Sequence, residues 1–514
     1  MSLWKKVKLR RHIKRLLLIV ISCLLVVVSS QVVIAKSLIP SNKSKSFQFL
    51  GSATYHLSQN FLEFNFGSDY YSQLLEADRF YKQGNIVKVK QIQKAVKPDF
   101  PPAEVFPAPQ ADISQLDATG QQYWQTANQG IKEDPVEEEQ VNTRIFDPLE
   151  SLVEEYPSFV PGHILLANTY ELYDDEEAAL STIETASSMY PGRDDVLDAK
   201  IALLLAYDQP LEASIAAREF AYSYPDFSKT PAYKQAADEY FQEYQNSVKS
   251  KLKKTGIISG VGQATVGNES EGLALGKMLY EGNENSVGTA LAENLKSQSN
   301  VVTNPQQLAY LQDVGQKLAE LMGRTDFIYE FNIIEDPSPN ASAYPGGKIF
   351  IHTGMLQLID SEAELAGILS HEIAHAVLSH GYTGIAETAL TSAGGGIASG
   401  LLSDVLGVDQ KITNTATNLG GVLLNKEFSR DKEKQADVLG LRVLAAAGYS
   451  ADGLYNVMAK LSQLEGESNW ANSLLSSHPA SEERMQYLEE LIQTRGYNRY
   501  GYEGVEAYRQ VFPD

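Results

Sequence analysis

The sequence contains almost no cysteine. Of its 514 residues only Cys23 is a cysteine, and it lies in an apolar run near the start of the chain. Intramolecular disulfides and zinc sites built from several thiolates are therefore excluded. A transition-metal site in this chain must be built mainly from histidine and carboxylate side chains.

Basic charge is also scarce. The net charge is −22 at pH 7, and an acidic surface repels phosphate backbones, so we do not expect nucleic acid as a partner. Residues 1–35 nevertheless hold seven Lys and Arg and no acid. Since the whole chain carries −22 and this segment contributes +7, the rest carries −29.

A long apolar run follows this basic start. The stretch MSLWKKVKLRRHIKR precedes LLLIVISCLLVVV, and Val33 and Ala35 give a cleavage-like site. This order is typical of a secretory signal. The run is also long enough for an uncleaved membrane anchor, and the residues before Cys23 resemble a lipoprotein box. We expect export to the periplasm or cell envelope, with the protein either soluble or attached to a membrane through residues 1–35.

The chain length predicts several domains. After the signal or anchor, residues 36–144 show a helical-hairpin pattern and a Pro-rich linker, and residues 145–250 contain an internal repeat. Residues 251–300 are a connector rich in Gly and Ser, and residues 301–514 have the pattern of a compact domain. The predicted fold class is α+β, namely a mainly helical domain with a small sheet, preceded by an all-α repeat region.

The repeat has a period of 34 residues. Tyr156-Pro157, Tyr190-Pro191 and Tyr224-Pro225 are each separated by this distance. A period of 34 is that of the tetratricopeptide (TPR) helix pair, whose arrays bind protein partners on a concave surface. An unrelated helical array is the alternative interpretation.

The strongest motif is HEIAH at residues 371–375. His371 and His375 are four residues apart, so both lie on one face of a helix and could bind one cation. Glu372 lies beside them, as in zinc peptidases whose glutamate acts as a base rather than as a ligand. Ser361 and Glu364 have the spacing of a capping box at the start of this helix.

A third ligand is expected in NKEFSRDKEKQADVLG, which offers the pairs Glu427/Asp431 and Glu433/Asp437. Small and apolar side chains between residues 436 and 447 recur at helical spacing and predict a buried stripe. Helical phase places Glu433 beside this stripe and Glu427 opposite it. We therefore expect Glu433 to face the metal, with Asp437 holding the second ring nitrogen of a ligand histidine.

Four motifs in order, HEIAH, SRDKEKQAD, NASAYPGG and SHPASEERM, carry a family resemblance. Residues 300–490 resemble the zinc metallopeptidases of the CAAX prenyl protease family, of the HExxH-plus-Glu (gluzincin) type, and especially its exported, TPR-bearing members. The resemblance implies one zinc ion per chain, held by His371, His375 and Glu433, with Glu372 as catalytic base. It also implies an active-site role for His478, with Arg484 nearby in a supporting position. By its chemistry, the His478 imidazole could stabilise the oxyanion of the tetrahedral intermediate. From its spacing alone, His478 is more often a structural histidine.

The resemblance also implies a strand that binds an extended peptide substrate. Its residues are Asn340, Ala341, Ser342, Ala343, Tyr344, Gly346 and Gly347. Two features depart from the family: the repeats precede the peptidase region instead of following it, and the several membrane helices of the integral members are missing.

The predicted function is zinc-dependent hydrolysis of peptide bonds in envelope or misfolded proteins, with a protein partner bound by the repeats. A chaperone or assembly adaptor with an idle peptidase is one alternative, and a zinc hydrolase acting on other bonds is a second. Residues 384–424 are rich in Gly and Ser and could form either a lid or closely packed helices. If the repeats only select substrates, a chain beginning near residue 255 should still bind metal.

Overall fold

The computed structural model describes residues 67–103, 106–133, 135, 137–254, 269–393, 428–464 and 482–513. Residues 1–35, Glu427, His478 and most of the 384–424 segment lie outside this range. Among the described residues, no helix combines the length and the apolar character needed to cross a bilayer.

Helices dominate the structure. In chain order they are α1 Ser68–Lys82, α2 Ile86–Val96, α3 Ala118–Glu133, α4 Glu138–Val141, α5 Asp147–Glu155, α6 Val160–Leu172, α7 Glu176–Met189, α8 Asp194–Ala206, α9 Pro210–Ser223, α10 Thr230–Lys254, α11 Glu269–Glu281, α12 Glu284–Gln298, α13 Pro305–Met322, α14 Thr353–Leu358, α15 Glu362–Val377, α16 His380–Ala393, α17 Arg430–Ala446, α18 Gly453–Leu464, α19 Glu482–Thr494 and α20 Val505–Val511. A short 3₁₀ turn covers Ile113–Gln115, and a π-helical turn over Asn142–Phe146 joins α4 to α5.

The only sheet in the described part of the chain has three strands, which are β1 Glu330–Ile334, β2 Ala341–Tyr344 and β3 Lys348–His352. The strand order is β1-β3-β2, with β1 parallel and β2 antiparallel to β3. All five β3 residues are buried, as expected for a central strand covered on both faces. The structure is therefore mostly helical with one small sheet, which agrees with the predicted α+β class.

The repeat region consists of helix pairs with the period seen in the sequence. The first residues of α6 and α8, Val160 and Asp194, are 34 residues apart, and the first residues of α7 and α9 are separated by the same distance. Asp174 and Asp208, in the turns between paired helices, both have left-handed φ angles, 62° and 64°. This regularity agrees with a 34-residue repeat, while its assignment to the TPR family stays a prediction.

The helix that carries HEIAH, α15, is buried along nearly its whole length. Its neighbours approach closely because glycines face it. A Cβ on Gly440 of α17 would lie 3.1 Å from the His371 backbone, and one on Gly453 would lie 2.3 Å from the Ala363 carbonyl oxygen. These glycines let α17 and α18 pack directly on the backbone of α15, which fixes the histidine side chains relative to α17.

The start of α15 is held by a buried carboxylate. The Ser361 hydroxyl accepts a hydrogen bond from the Glu364 amide (3.2 Å), as the capping motif predicts. The Glu364 carboxylate accepts the amide of Asp360 (2.7 Å), one residue before the cap, rather than the amide of Ser361. Tyr71 of α1 (2.7 Å) and Lys460 of α18 (3.0 Å) also donate to this carboxylate. The N-terminal hairpin thus contacts the HEIAH helix directly.

Candidate metal centre

Two helices bring three potential ligands to one point. The Nε2 atoms of His371 and His375 are 3.1 Å apart, and they lie 3.5 and 3.4 Å from the two oxygens of Glu433. One ligand atom from each residue falls within 4.8 Å of the others. All three side chains are buried, and α17 presents Glu433 inward, on the side predicted from helical phase. Two imidazoles and one carboxylate are the protein ligands of many catalytic zinc sites.

His371 is oriented by a carboxylate behind it. Its Nδ1 lies 2.9 Å from Oδ1 of Asp437, one helical turn after Glu433, which leaves Nε2 directed toward the cluster. Burial raises the pKa of Asp437, but the charges of Arg484 and His371 outweigh burial and hold that pKa below its usual value. Asp437 is therefore an anionic acceptor that can fix the imidazole for metal binding.

Arg484 of α19 joins the two carboxylates. Its guanidinium donates to Glu433 at 2.7 Å and to Asp437 at 2.6 and 2.8 Å. Burial opposes its charge, but Asp437 and Glu433 keep the pKa of Arg484 above its ordinary value. Its Nη2 lies 3.2 Å from Nε2 of His371, so the positively charged guanidinium is next to an atom that would bind a cation.

The charges of the cluster favour a cation. Burial and Arg484 lower the pKa of His371, but the opposite effect of Asp437 and Glu433 is larger and raises this pKa to about 9. Glu372, Glu433 and Asp437 are all buried here against the single guanidinium of Arg484. Once His371 is neutral, as a metal ligand must be, these three carboxylates and one guanidinium leave a net charge of −2, which a divalent ion would neutralise. The donor atoms and their charge therefore both fit a divalent metal.

His375 has partners that the sequence did not predict. Its Nδ1 lies 2.9 Å from Nδ1 of His380, whose Nε2 lies 3.0 Å from Oε1 of Gln435. Its ring also stacks on Phe428, with centroids 4.3 Å apart. Burial and the neighbouring His375 hold the pKa of His380 well below its usual value, so this imidazole is neutral at pH 7.

Glu372 follows His371 on α15 and is 2% exposed. It is close enough to Arg484 to contribute to the raised pKa of that guanidinium. Its place beside the ligand histidines is that of a base in HExxH peptidases. The structure does not describe His478, so its predicted role at the oxyanion stays a prediction.

Comparison with known proteins identifies this region. Residues 305–492 match the family model of peptidase family M48. This part of the chain is an M48 peptidase domain. It contains α15, α17 and the sheet, and therefore every described residue of the metal cluster.

Relatives of the M48 domain carry protease names. The mitochondrial metalloendopeptidase OMA1 of Schizosaccharomyces pombe is 30% identical over 204 residues, which are 40% of this chain and 58% of that protein. OMA1 of Arabidopsis thaliana is 32% identical over 186 residues, 35% of this chain and 36% of the relative. The beta-barrel assembly-enhancing protease of Escherichia coli is 24% identical over 220 residues, 42% of this chain and 45% of the relative. The matches thus span only about a third to three fifths of each relative.

The predicted substrate strand lies at an edge of the sheet in the M48 domain. The Asn340 carbonyl accepts a hydrogen bond from His352 of β3 (2.8 Å). In an antiparallel pair the direction of the backbone groups alternates, so Ala341 and Ala343 direct theirs away from β3. Their side chains are buried.

The turn after β2 requires glycine. Gly346 and Gly347 have φ angles of 68° and 78°, a region that other residues rarely adopt. A Cβ at Gly346 would also lie 2.8 Å from the Asn285 backbone, and one at Gly347 would lie 2.5 Å from the Tyr329 ring. These two glycines therefore shape the hairpin between β2 and β3.

Replacing Arg484 by methionine should destabilise the M48 domain. The change leaves Glu433 and Asp437 buried without their guanidinium, which typically costs about 3–5 kcal/mol of unfolding free energy. Saturating zinc should recover part of this loss, because a divalent cation replaces the missing positive charge. Denaturant unfolding with and without zinc measures both effects.

The matched control for this prediction is Arg430→Met. Arg430 pairs with Glu483 at 3.1 Å, but both side chains are largely exposed, so this change should alter stability little. Equal losses in the two variants would contradict the argument from buried charge.

Proposed function

We propose that this protein is a zinc-dependent endopeptidase. The observation that carries the proposal is the convergence of His371, His375 and Glu433 in a buried cluster, with Glu372 next to the first ligand. The M48 match supports peptide bonds as the substrate, and no thiol or hydroxyl nucleophile is needed in such a site.

The roles of the residues follow from their chemistry. A zinc ion at this site would lower the pKa of water and polarise the scissile carbonyl. His371, His375 and Glu433 would hold the ion, while Asp437 and Arg484 keep His371 and Glu433 in place. Glu372 would take the proton from the attacking water and pass it to the leaving amine. We retain the proposal that His478 stabilises the oxyanion.

A polypeptide substrate is proposed to bind as an added strand beside β2. The outward backbone groups of Ala341 and Ala343 would pair with an extended peptide, a mode that recognises main chain rather than sequence. Because these residues and the ligand cluster are buried, a peptide can reach them only after part of the surrounding structure moves.

The other parts of the chain receive proposals of the same kind. We propose that residues 145–250 are TPR repeats that bind a protein partner, and that residues 301–514 cleave misfolded or envelope proteins. The basic and apolar sequence of residues 1–35 supports an exported protein that is either soluble or attached to a membrane through this segment.

Removal of the metal should abolish cleavage reversibly. The purified full chain should contain close to one zinc per molecule, and it should cleave an unfolded protein such as reduced casein. A strong chelator should stop the reaction, and adding zinc should restore it, because the ligand set supplies no alternative nucleophile. Metal analysis and a gel assay measure the two quantities. Cleavage that survives complete loss of metal would contradict the proposal.

A further inference from the structure

The end of α15 is built as a tight, buried reversal. The helix ends at Val377, and Ser379 adopts a left-handed backbone with φ 60°. The Ser379 hydroxyl donates to Glu284 (3.1 Å), and Arg324 donates to the Val377 carbonyl (3.1 Å) while pairing with Glu284 (3.3 Å). A strained residue held by several buried contacts indicates that the direction of the following chain matters. That chain begins with His380.

The reversal aims His380 back at the metal cluster. Its ring is fully buried and contacts Nδ1 of His375 at 2.9 Å with its own Nδ1. Its Nε2 contacts Oε1 of Gln435 at 3.0 Å. Gln435 lies on α17 between Glu433 and Asp437, so one chain of contacts links the two ligand helices behind His375.

With the amide oxygen of Gln435 facing His380, the chemistry of these contacts allows one order of protons. An amide oxygen only accepts, so Nε2 of His380 must donate to Gln435. A neutral imidazole has one donor and one acceptor, so Nδ1 of His380 then accepts from His375. His375 therefore carries its proton on Nδ1, and the lone pair of its Nε2 is available to a cation.

We infer that His380 and Gln435 are positioning residues for metal binding, which orient His375 and select its metal-binding tautomer. Asp437 accepts a hydrogen bond from Nδ1 of His371 and so orients that ring. His380, held by Gln435, orients His375 in the same way, but the acceptor is a neutral imidazole instead of a carboxylate. The inference rests on the proposed function, since it assumes that His375 is a ligand.

The reverse order of protons is incompatible with metal binding. If the amide nitrogen of Gln435 donated to Nε2 of His380, Nδ1 of His380 would carry the proton and donate to His375. The proton of neutral His375 would then lie on Nε2, facing His371 and Glu433. Metal binding through Nε2 thus requires the amide oxygen to face His380.

Zinc affinity of the full chain tests the inference without reference to cleavage. His380→Leu removes the acceptor and should weaken zinc binding about 10–100-fold, the usual cost of losing such a partner. In His380→Asn, the amide oxygen stands near the former Nδ1 and should keep most of the affinity. Gln435→Leu should weaken binding and Gln435→Glu should preserve it, because the carboxylate is still an acceptor. Competition with a chromogenic chelator measures each dissociation constant.

Thermal unfolding of the zinc-free variants separates positioning from general packing. We expect His380→Leu and His380→Asn to differ in zinc affinity by more than any difference in their zinc-free midpoints can explain. Equal zinc affinities for these two variants, or wild-type affinity in Gln435→Leu, would overturn the inference while leaving the peptidase proposal intact. A wild-type chain that binds no zinc would overturn both.

Discussion

Glu372→Gln should leave zinc bound and slow peptide hydrolysis by about 10²–10⁴-fold, the usual contribution of a general base. Glutamine has nearly the same shape as glutamate but cannot take a proton from water. Since the ligands His371, His375 and Glu433 are unchanged, the zinc content should stay near that of the wild type. Metal analysis and initial rates on a quenched-fluorescence peptide measure the two effects separately.

Glu362→Gln is the matched control, because it makes the same substitution on the same helix. Glu362 lies in the first turn of α15, where Tyr310 and Tyr449 donate to its carboxylate at 2.7 and 2.6 Å. Turnover by this variant should match the wild type. If Glu372→Gln also cleaved at the wild-type rate, Glu372 would not be the base.

The Glu372→Gln variant also distinguishes a peptidase from an adaptor. A protein partner bound by the repeats should be retained by Glu372→Gln, whereas fragments of a substrate should disappear. If the zinc-loaded wild type cleaved nothing while still binding its partner, the alternative of an assembly adaptor with an idle peptidase would be favoured.

Much of the metal cluster was accessible from the sequence because it depends on helical geometry alone. His371 and His375 are one turn apart, and the phase of α17 determines that Glu433 faces inward. Both inferences need only a rise and a rotation per residue. The structure brings these three side chains together, with Asp437 on His371, and the chemical roles of the residues stay predictions.

His380 could not be predicted in the same way. A residue five positions after His375 on a continuous helix is rotated by roughly 140° from it and would point elsewhere. The left-handed turn at Ser379 ends α15 and redirects the chain. Serine rarely adopts such a conformation, and the contacts that hold it come from Glu284, which is distant in sequence.

The packing of the repeat helices on the peptidase region could not be predicted from the sequence either. The sequence indicated a repeat array separate from the peptidase region. An amphipathic pattern shows that one face of a helix is buried, but it does not show which partner buries it. In the structure, α9 and α10 belong to the same buried core as α15 and the sheet. Phe241 of α10, for example, contacts the ring of Tyr382 on α16, with centroids 5.7 Å apart.

This packing changes the expected result of a truncation. A chain beginning near residue 255 should fail to fold and should bind little zinc, in contrast to the expectation from sequence. It would lose six buried side chains from the core that surrounds α15, which are Leu211, Ile215, Tyr222, Phe241, Val248 and Leu252. At about 1.5–3 kcal/mol for each large apolar side chain, the loss is comparable with the whole stability of a typical domain, about 5–15 kcal/mol.

The truncation would also remove the lysine from a buried network of charged side chains. Lys97, which follows α2, pairs with Asp452 at 2.8 Å and with Glu503 at 2.5 Å, and all three side chains are 1% exposed. Without Lys97, Arg499 still pairs with Asp452 at 3.2 Å, but the two buried carboxylates lose the lysine that they share. Breaking a buried pair in this way typically costs a further 3–5 kcal/mol or so.

A chain beginning at residue 67 is the control, since it keeps every contact described for α1, α9 and α10. It should unfold cooperatively and bind zinc like the full chain, whereas the chain from residue 255 should show no cooperative transition in circular dichroism. Zinc binding with wild-type affinity and a cooperative transition in the shorter chain would contradict this prediction. The repeat helices would then be dispensable for the metal site, and α9 and α10 would only cover a core that is stable without them.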